Sequence, residues 1–478
     1  MRRVPALIAV AVTALACSAG RSHAPREDRA GAPDDAGAPD DAGSLDGGGL
    51  DGGGASADPC SAEALSEPKA ATTYYVAIQQ PGADNAACDG LAPDDEGGGH
   101  CPFKDLSSPR TAALLDGVAG VRVELRAGTY VVSNWDGFHV TGAGASEDRQ
   151  AILSSYAGEH AVLDVAIPDG AGCTAASDTP PPGCVREVVR VSGQYTVVQG
   201  LTIQNGLGYQ LEVFGGSHHR IRCNRFLVTR DFAMRSDMLK GDANASDVEV
   251  SDNEFSDWNS GAIDITGVGP WTIEHNDFHD PRDPNANVTG GKYGTHDILV
   301  RDNTVHDMAG TGEVFSLGGT GTAHPDEYEA YRIHVVGNHI TRAEVKIAQF
   351  VSCRDCSFEN NDVSDSGAGI LMSSAANGLP ECSASPTGCQ PTTGARITGN
   401  RFRNLDGAGK PAQANVFIFA DTGETGFEAS DNTYCAPSAG DARFGWMGSF
   451  VSFADWQTSS GTDQTSQTLA SSDPGCSW

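Results

Sequence analysis

The sequence predicts an all-β chain wound into a single right-handed parallel β-helix with an N-terminal capping helix and disulfide-stapled loops. Three observations carry this expectation. One phrase recurs nine times between residues 202 and 432: a short apolar strand, one or two residues, an asparagine, and usually an apolar residue two positions on. Its asparagines are Asn205, Asn224, Asn253, Asn276, Asn303, Asn338, Asn361, Asn400 and Asn432. Their spacing varies from 19 to 39 residues, so a minimum coil of about 20 residues is kept while extra residues enter at one turn. Glycine supplies 59 of 478 residues and charged residues only 20%, a balance that suits many tight turns and few long helices.

Each coil of such a solenoid pairs its strands with the coils above and below, because no coil can bury its inward side chains alone. Asparagine fits the turn between two strands: it tolerates the left-handed region, and its amide both donates and accepts. One asparagine per coil therefore predicts a stacked ladder.

Residues 1–17 read as a secretion signal, with Arg2-Arg3 followed by an apolar run from Val4 to Ala16 that is too short to span a membrane as a helix. Ala14-Leu15-Ala16-Cys17 resembles the bacterial lipoprotein processing box. That resemblance implies lipidation of Cys17, and Ser18 after it implies the outer membrane; cleavage and release into the medium is the alternative. Residues 18–71, densest in Asp, Gly, Ala and Pro up to Asp58, predict a flexible acidic tether. The β-helix is expected over 72–478, as a monomer that meets a membrane only through the lipid.

Apart from Cys17 there are 12 cysteines, an even number in an exported chain. Cys88 and Cys101, Cys173 and Cys184, Cys382 and Cys389, and Cys435 and Cys476 lie close enough in sequence to staple loops. Cys353-Arg354-Asp355-Cys356 has zinc-like spacing but no second such pair, which favours a disulfide.

Thr73-Tyr74-Tyr75-Val76, Cys101-Pro102-Phe103-Lys104-Asp105-Leu106, a helical stretch near Arg110–Leu115 and Arg126-Ala127-Gly128-Thr129-Tyr130 follow one another in that order. The series resembles the N-terminal cap of secreted bacterial β-helix proteins of the pectate lyase-like superfamily. Phe453-Ala454-Asp455-Trp456-Gln457 with Gly461-Thr462-Asp463 and Ser466 resembles the segment that closes such helices. Together these cover residues 72–478 and imply the fold; an activity has to come from a site.

The asparagines serve as a ruler for that site. Lys292 lies eleven residues before Asn303, Asp264 twelve before Asn276, and Lys240 thirteen before Asn253. A two-residue insertion near Ala243-Asn244 would bring Lys240 into the same column, so Lys240, Asp264 and Lys292 are expected to stack over roughly 10 Å at the spacing of paired strands. Polysaccharide lyases remove the proton beside a uronate carboxylate, which takes a base and a cation to disperse the developing charge. Asp237-Met238-Leu239-Lys240-Gly241 followed by Val248-Glu249-Val250 resembles the lysine-bearing coil of chondroitinase B-like and alginate lyases, which implies that Lys240 is the base. The next coil of those enzymes presents an arginine, where this chain has Asp264.

Other acidic groups have competing roles. Asp257, Asp280, Asp307 and Asp365 each stand four residues past a ladder asparagine and are expected to cap turns. Asp231, Asp237, Asp242 and Asp247 form a candidate calcium set, as does the segment from Asp277 through Asp283 to Asn285. Glu212 and Glu313 read as isolated carboxylates. His275, His279, His306, His334 and His339 sit beside turns, in no metal-binding pattern.

A net charge of −32 argues against nucleic-acid binding. Two function classes stand: an exported, calcium-assisted lyase acting by β-elimination on an acidic polysaccharide, or a noncatalytic surface lipoprotein that binds glycan or supports the envelope.

Overall fold

The computed structural model describes residues 60–68, 70–144, 146–165, 184–229, 237–310, 312–318, 328–373, 390–407, 414–420 and 426–478. The signal, Cys17 and the tether up to residue 58 lie outside the described residues. So do Asp231, Cys173, Cys382 and Cys389.

Each coil contributes three short strands to three parallel faces. One coil runs Asp237–Asp242, Ser246–Ser251 and Glu254–Ser256, and the chain returns at Gly261–Thr266 beside Asp237–Asp242. Successive coils repeat this pairing in parallel register. Strand Glu187–Gln199 runs round a corner, pairing at its start with Tyr209–Phe214 and at its end with Ser217–Arg222. Inside, side chains of one kind stack from coil to coil. Phe226, Phe255 and Phe278 lie in a row with ring centroids 4.8 Å apart, close to the strand spacing itself.

The ladder forms from Asn224 to Asn432. Asn276 is typical: its Nδ2 donates to Asn303 Oδ1 at 3.0 Å and to the carbonyls of Val250 and Glu274, while its backbone N–H donates to Asn303 Oδ1 at 2.9 Å. The amide is fully buried and satisfied, which is the only way it can be tolerated there. Two details differ from the expectation. The left-handed residue is the one before each rung, namely Cys223, Asp252, His275, Asp302, Gly337, Asn360, Gly399 and Asp431, with φ between 53° and 70°. Asn205 is no rung at all: it adopts φ 69° and bonds Asp164 and Thr229, while the backbone of Leu201 meets Asn224 Oδ1 in its place.

Asp257, Asp280, Asp307 and Asp365 take φ of 49–58°, so their column is indeed a turn column. Their carboxylates point outward to separate partners, among them Arg342 on Asp307 at 2.6 Å. The longer insertions enter at two corners rather than one. Residues 280–286 precede strand Asn287–Lys292, and residues 318–329 and 374–392 follow strands Glu313–Leu317 and Ala368–Ser373. Both corners border the same face, the one that carries Lys240.

The ends are closed by helices. Pro109–Ala112 is capped by Ser108, whose Oγ accepts from the Thr111 N–H, and it sits at the N-terminal end as expected. At the other end helix Phe453–Ser460 brings Trp456 Nε1 to Asp463 Oδ2 at 3.0 Å, and Tyr434 donates to the same oxygen at 2.8 Å. Ser466 Oγ accepts from the backbone of Asn432, the last rung. These contacts give the closing motif its physical use: it terminates the ladder with buried partners.

Docked structure precedes the β-helix strand Thr72–Val76, in the stretch read as tether. Helix Ala62–Leu65 is held by a disulfide from Cys60 to Cys223 and by Arg122 and Gln199, which both donate to the Leu65 carbonyl. Composition hides this docking, because the segment is bound through its backbone carbonyls and one sulfur. Disulfides Cys88–Cys101, Cys353–Cys356 and Cys435–Cys476 form as the spacing predicts.

Candidate functional site

A line of charge crosses the insertion-bordered face. In successive strands His139 pairs with Arg190, Arg190 with Glu212, Glu212 with Lys240, Lys240 with Asp264, and Asp264 with Gly290. Signs therefore alternate from Arg190 to Asp264. Because a strand turns alternate residues to opposite sides, register alone places these four side chains on one surface.

Ala243 and Asn244, with φ 52° and 66°, absorb the extra residues that let Lys240 align with Asp264. Lys292 is displaced from the column: it pairs with Thr266, two residues beyond the Gly290 that faces Asp264. Gly290 contributes no side chain, and Lys292 reaches back instead. Lys240 Nζ lies 2.6 Å from Asp264 Oδ2, and Lys292 Nζ lies 3.0 Å from Asp264 Oδ1. Lys240 also donates to Thr266 Oγ1 at 2.6 Å. The structure thus brings Lys240, Asp264 and Lys292 together. Their side chains are 10%, 16% and 27% exposed, so Lys292 is the most accessible of the three.

Electrostatics separates the two lysines. Burial alone would push the Lys240 ammonium toward deprotonation, but Asp264 and Asp237 oppose this and hold its pKa above the ordinary lysine value. Burial likewise disfavours the Asp264 carboxylate, and the two lysine charges more than offset that cost, keeping its pKa below the ordinary value. Lys240 is therefore a fixed cation in this arrangement. A carboxylate, Asp264, lies between the two lysines.

Glu212 is not isolated. Arg190 Nε donates to its Oε2 at 3.0 Å, and Arg186 approaches its Oε1 at 3.6 Å. Arg190 also lies 2.6 Å from Glu187, a buried carboxyl whose pKa rises to about 8, first through burial and then through the charge of Glu212. Glu313 is paired as well, with Lys346 at 3.5 Å and Gln349 at 3.2 Å. The ruler contained a sign of this: Glu212 stands twelve residues before Asn224, the same offset as Asp264 from Asn276. Arg190 escaped it because the rung of its coil is Leu201.

Two exposed aromatic rings border the line. Phe214 covers the Arg190 guanidinium at 4.7 Å and pairs in register with Asp242, while Tyr293 follows Lys292. Both rings are nearly half exposed, which an apolar core does not explain.

Of the acidic set expected to hold calcium, the three described members have separate partners. Asp237 accepts from the Gly261 N–H at 2.8 Å, Asp242 is pushed up in pKa by burial and by Glu212, and Asp247 pairs with His218 on a different face. Asp283 accepts from the backbone of Asn285 in a local turn. Among the described residues no three His, Cys, Asp or Glu side chains form a group that could hold a metal ion. Of the histidines beside the turns, His279 pairs with Asp280 at 2.9 Å and His306 with Asp277 at 3.1 Å, while His334 lies 2.9 Å from Ser357 Oγ.

Residues 187–326 match the family model of the right-handed beta helix region. No curated protein matches the chain in sequence. Among solved structures, the complex of XylC with xylose superposes with a TM-score of 0.52 at 10% identity, over 84% of this chain and 87% of that one. Pectate lyase Pel9A gives 0.48 at 14% identity over 77% and 80%, and the alginate lyase of Paenibacillus sp. str. FPU-7 gives 0.43 at 13% over 61% and 91%. At these identities the likeness concerns the fold alone. With parallel coils from Thr72 to the closing helix and the matching family model, this chain is a right-handed parallel β-helix protein.

Proposed function

We propose that this protein is an exported carbohydrate-active β-helix protein, a polysaccharide lyase that cleaves a uronate-containing glycan by β-elimination. The observation that carries the reading is the pair of ammonium groups, Lys240 and Lys292, converging on one carboxylate at 2.6 and 3.0 Å on an outward face. A uronate carboxylate is matched by the same two cations, and in a chain of net charge −32 such a surface is selective in where it accepts an anion. Phe214 and Tyr293 offer rings for sugar faces on either side.

In this reading Lys240 stays cationic and neutralises the carboxylate as charge builds on it. Lys292, the more exposed lysine, passes its ammonium proton to water once the uronate has displaced Asp264 from it, and as the free amine it takes the proton from the carbon beside the carboxylate. The C–H electron pair forms the new C=C bond, the adjacent C–O bond breaks, and water protonates the departing oxygen. No step is assigned to calcium, for which the described side chains provide no ligand set. Lipidation of Cys17 in the outer membrane, with the acidic tether giving reach, fits an enzyme that works on surface polymer; radiolabelled palmitate incorporation that survives Cys17→Ala would rule it out.

The test is incubation of the protein with pectate, alginate and glycosaminoglycans, with and without calcium, following the ultraviolet absorbance of unsaturated uronate ends. Activity abolished by Lys292→Met and by Lys240→Met supports the assignment. Activity unchanged in both variants, or no response to any substrate, overturns it. A noncatalytic glycan-binding role is the second reading, favoured by the firm charge on Lys240; it is recognised by retained binding of the same polymers without new absorbance.

A further inference from the structure

A hollow of about 400 Å³ lies at the N-terminal end of the charged line, lined by Ser107, Asp116, Asn134, Trp135, Asp136 and His139 among others. It is continuous with the line. His139 is the register partner of Arg190, Asp136 Oδ1 lies 3.8 Å from the Arg190 guanidinium, and the Trp135 carbonyl accepts from the Arg186 N–H at 2.7 Å. The volume falls in the range of small-ligand sites.

Its chemistry differs from that of the lysine pair. No lysine or arginine lines the hollow, and two carboxylates, Asp116 and Asp136, do. A uronate placed there would face like charges, which is unfavourable. An uncharged sugar can donate hydroxyl hydrogens to both carboxylates and lay its C–H face on the Trp135 ring. From the His139 strand to the Lys240 strand is three coil steps, a span of about 14 Å. One polymer lying along the solenoid axis could fill both places.

We propose that this hollow is a subsite for an uncharged sugar residue of the glycan whose uronate sits at Lys240 and Lys292, so that the protein selects polymers in which uronates are interspersed with neutral sugars over homopolyuronates. The inference rests on the reading that the lysine pair receives a uronate. It adds the identity of a sugar residue further along the same polymer, about 14 Å from the uronate.

Calorimetric titration of the full chain with hyaluronan hexasaccharide, which alternates glucuronate with an uncharged amino sugar, and with oligogalacturonate hexamer tests it. The alternating hexamer should bind roughly tenfold more tightly, the equivalent of one lost stacking and hydrogen-bonding contact. Trp135→Ala should remove that preference while leaving galacturonate affinity within about twofold, and Trp135→Tyr should keep it. Asp116→Lys, at an exposed position, should turn the preference toward oligogalacturonate.

Equal or tighter binding of oligogalacturonate by the native protein overturns the subsite, as does an equal loss for both hexamers in Trp135→Ala. Loss of affinity for neither hexamer in Lys240→Met and Lys292→Met overturns the lysine reading instead. If neither hexamer binds, methyl β-glucoside decides: the absence of a Trp135-dependent fluorescence change refutes the hollow on its own.

Discussion

Lys240 and Asp264, 24 residues apart in sequence, are register partners in adjacent coils, and their side chains meet at 2.6 Å with little exposure to water. Lys292 closes on the other carboxylate oxygen. Asp264 is thus the anionic contact that Lys292 makes among the described residues, and the nearest one of Lys240.

Removing that carboxylate should be costly. Asp264→Ala leaves a buried ammonium without its main counter-charge and is expected to lose about 3–5 kcal/mol of stability. The pair replaced together, Lys240→Met with Asp264→Leu, should recover most of the loss. Urea unfolding midpoints measure both; a single variant as stable as the native protein would contradict the pairing.

The ladder predicts a graded response. Asn303→Ala removes donors to the Ile273 and Arg301 carbonyls and to Asn338, and strands the backbone N–H of Asn276, so about 2–4 kcal/mol should be lost. Asn205→Ala lies outside the ladder and should cost less. Equal midpoints for the two variants would mean that the stacked amides add nothing beyond a local turn.

Glu187 makes stability depend on pH. Its folded pKa is near 8 against an ordinary 4.5, so between these values the folded protein keeps a proton that the unfolded chain releases. The contribution is fully present below pH 4.5 and is lost as pH rises toward 8. Glu187→Gln keeps the shape without the charge and should flatten thermal stability across that window, gaining on the order of 1 kcal/mol at its upper end. A variant with the native slope would show that the group is ionised in the fold.

The Cys60–Cys223 bond spans 163 residues. Cys60→Ala with Cys223→Ala should lower stability by up to about 5 kcal/mol on a chain-entropy basis and open the segment around helix Ala62–Leu65 to proteolysis. Protease resistance at native levels would argue that Arg122, Gln199 and Arg222, which donates to the Ala64 carbonyl, hold it without the sulfur.

Phe214→Ala and Tyr293→Ala leave the core untouched, since both rings are nearly half exposed. Glycan affinity should fall by roughly 3- to 30-fold in each, with melting temperature unchanged. Unaltered affinity in both would remove the aromatic borders from the site.

The sequence by itself determined the solenoid and the neighbourhood of the site. A buried amide that must be satisfied once per coil imposes a repeat that survives insertions, and counting from it made Lys240 and Asp264 neighbours across 24 residues. Ala243 and Asn244 were legible as the compensating turn because the ruler demanded two extra residues there. The tertiary structure decided what local spacing cannot encode. Asn205 could be told from a rung only by its partners, since the phrase around it is the same and Leu201 fills the rung with a backbone N–H. Lys292 stands two residues off the column because pairing follows the register of whole strands, not an offset from one asparagine. The charge of Lys240 depends on Asp264 and Asp237 crowding it in a dry setting, and the Trp135 hollow on a corner of one coil meeting the capping helix. Spacing along a chain fixes which residues can stack; protonation and cavities follow from the sum of neighbours in three dimensions, which only the packed coils supply.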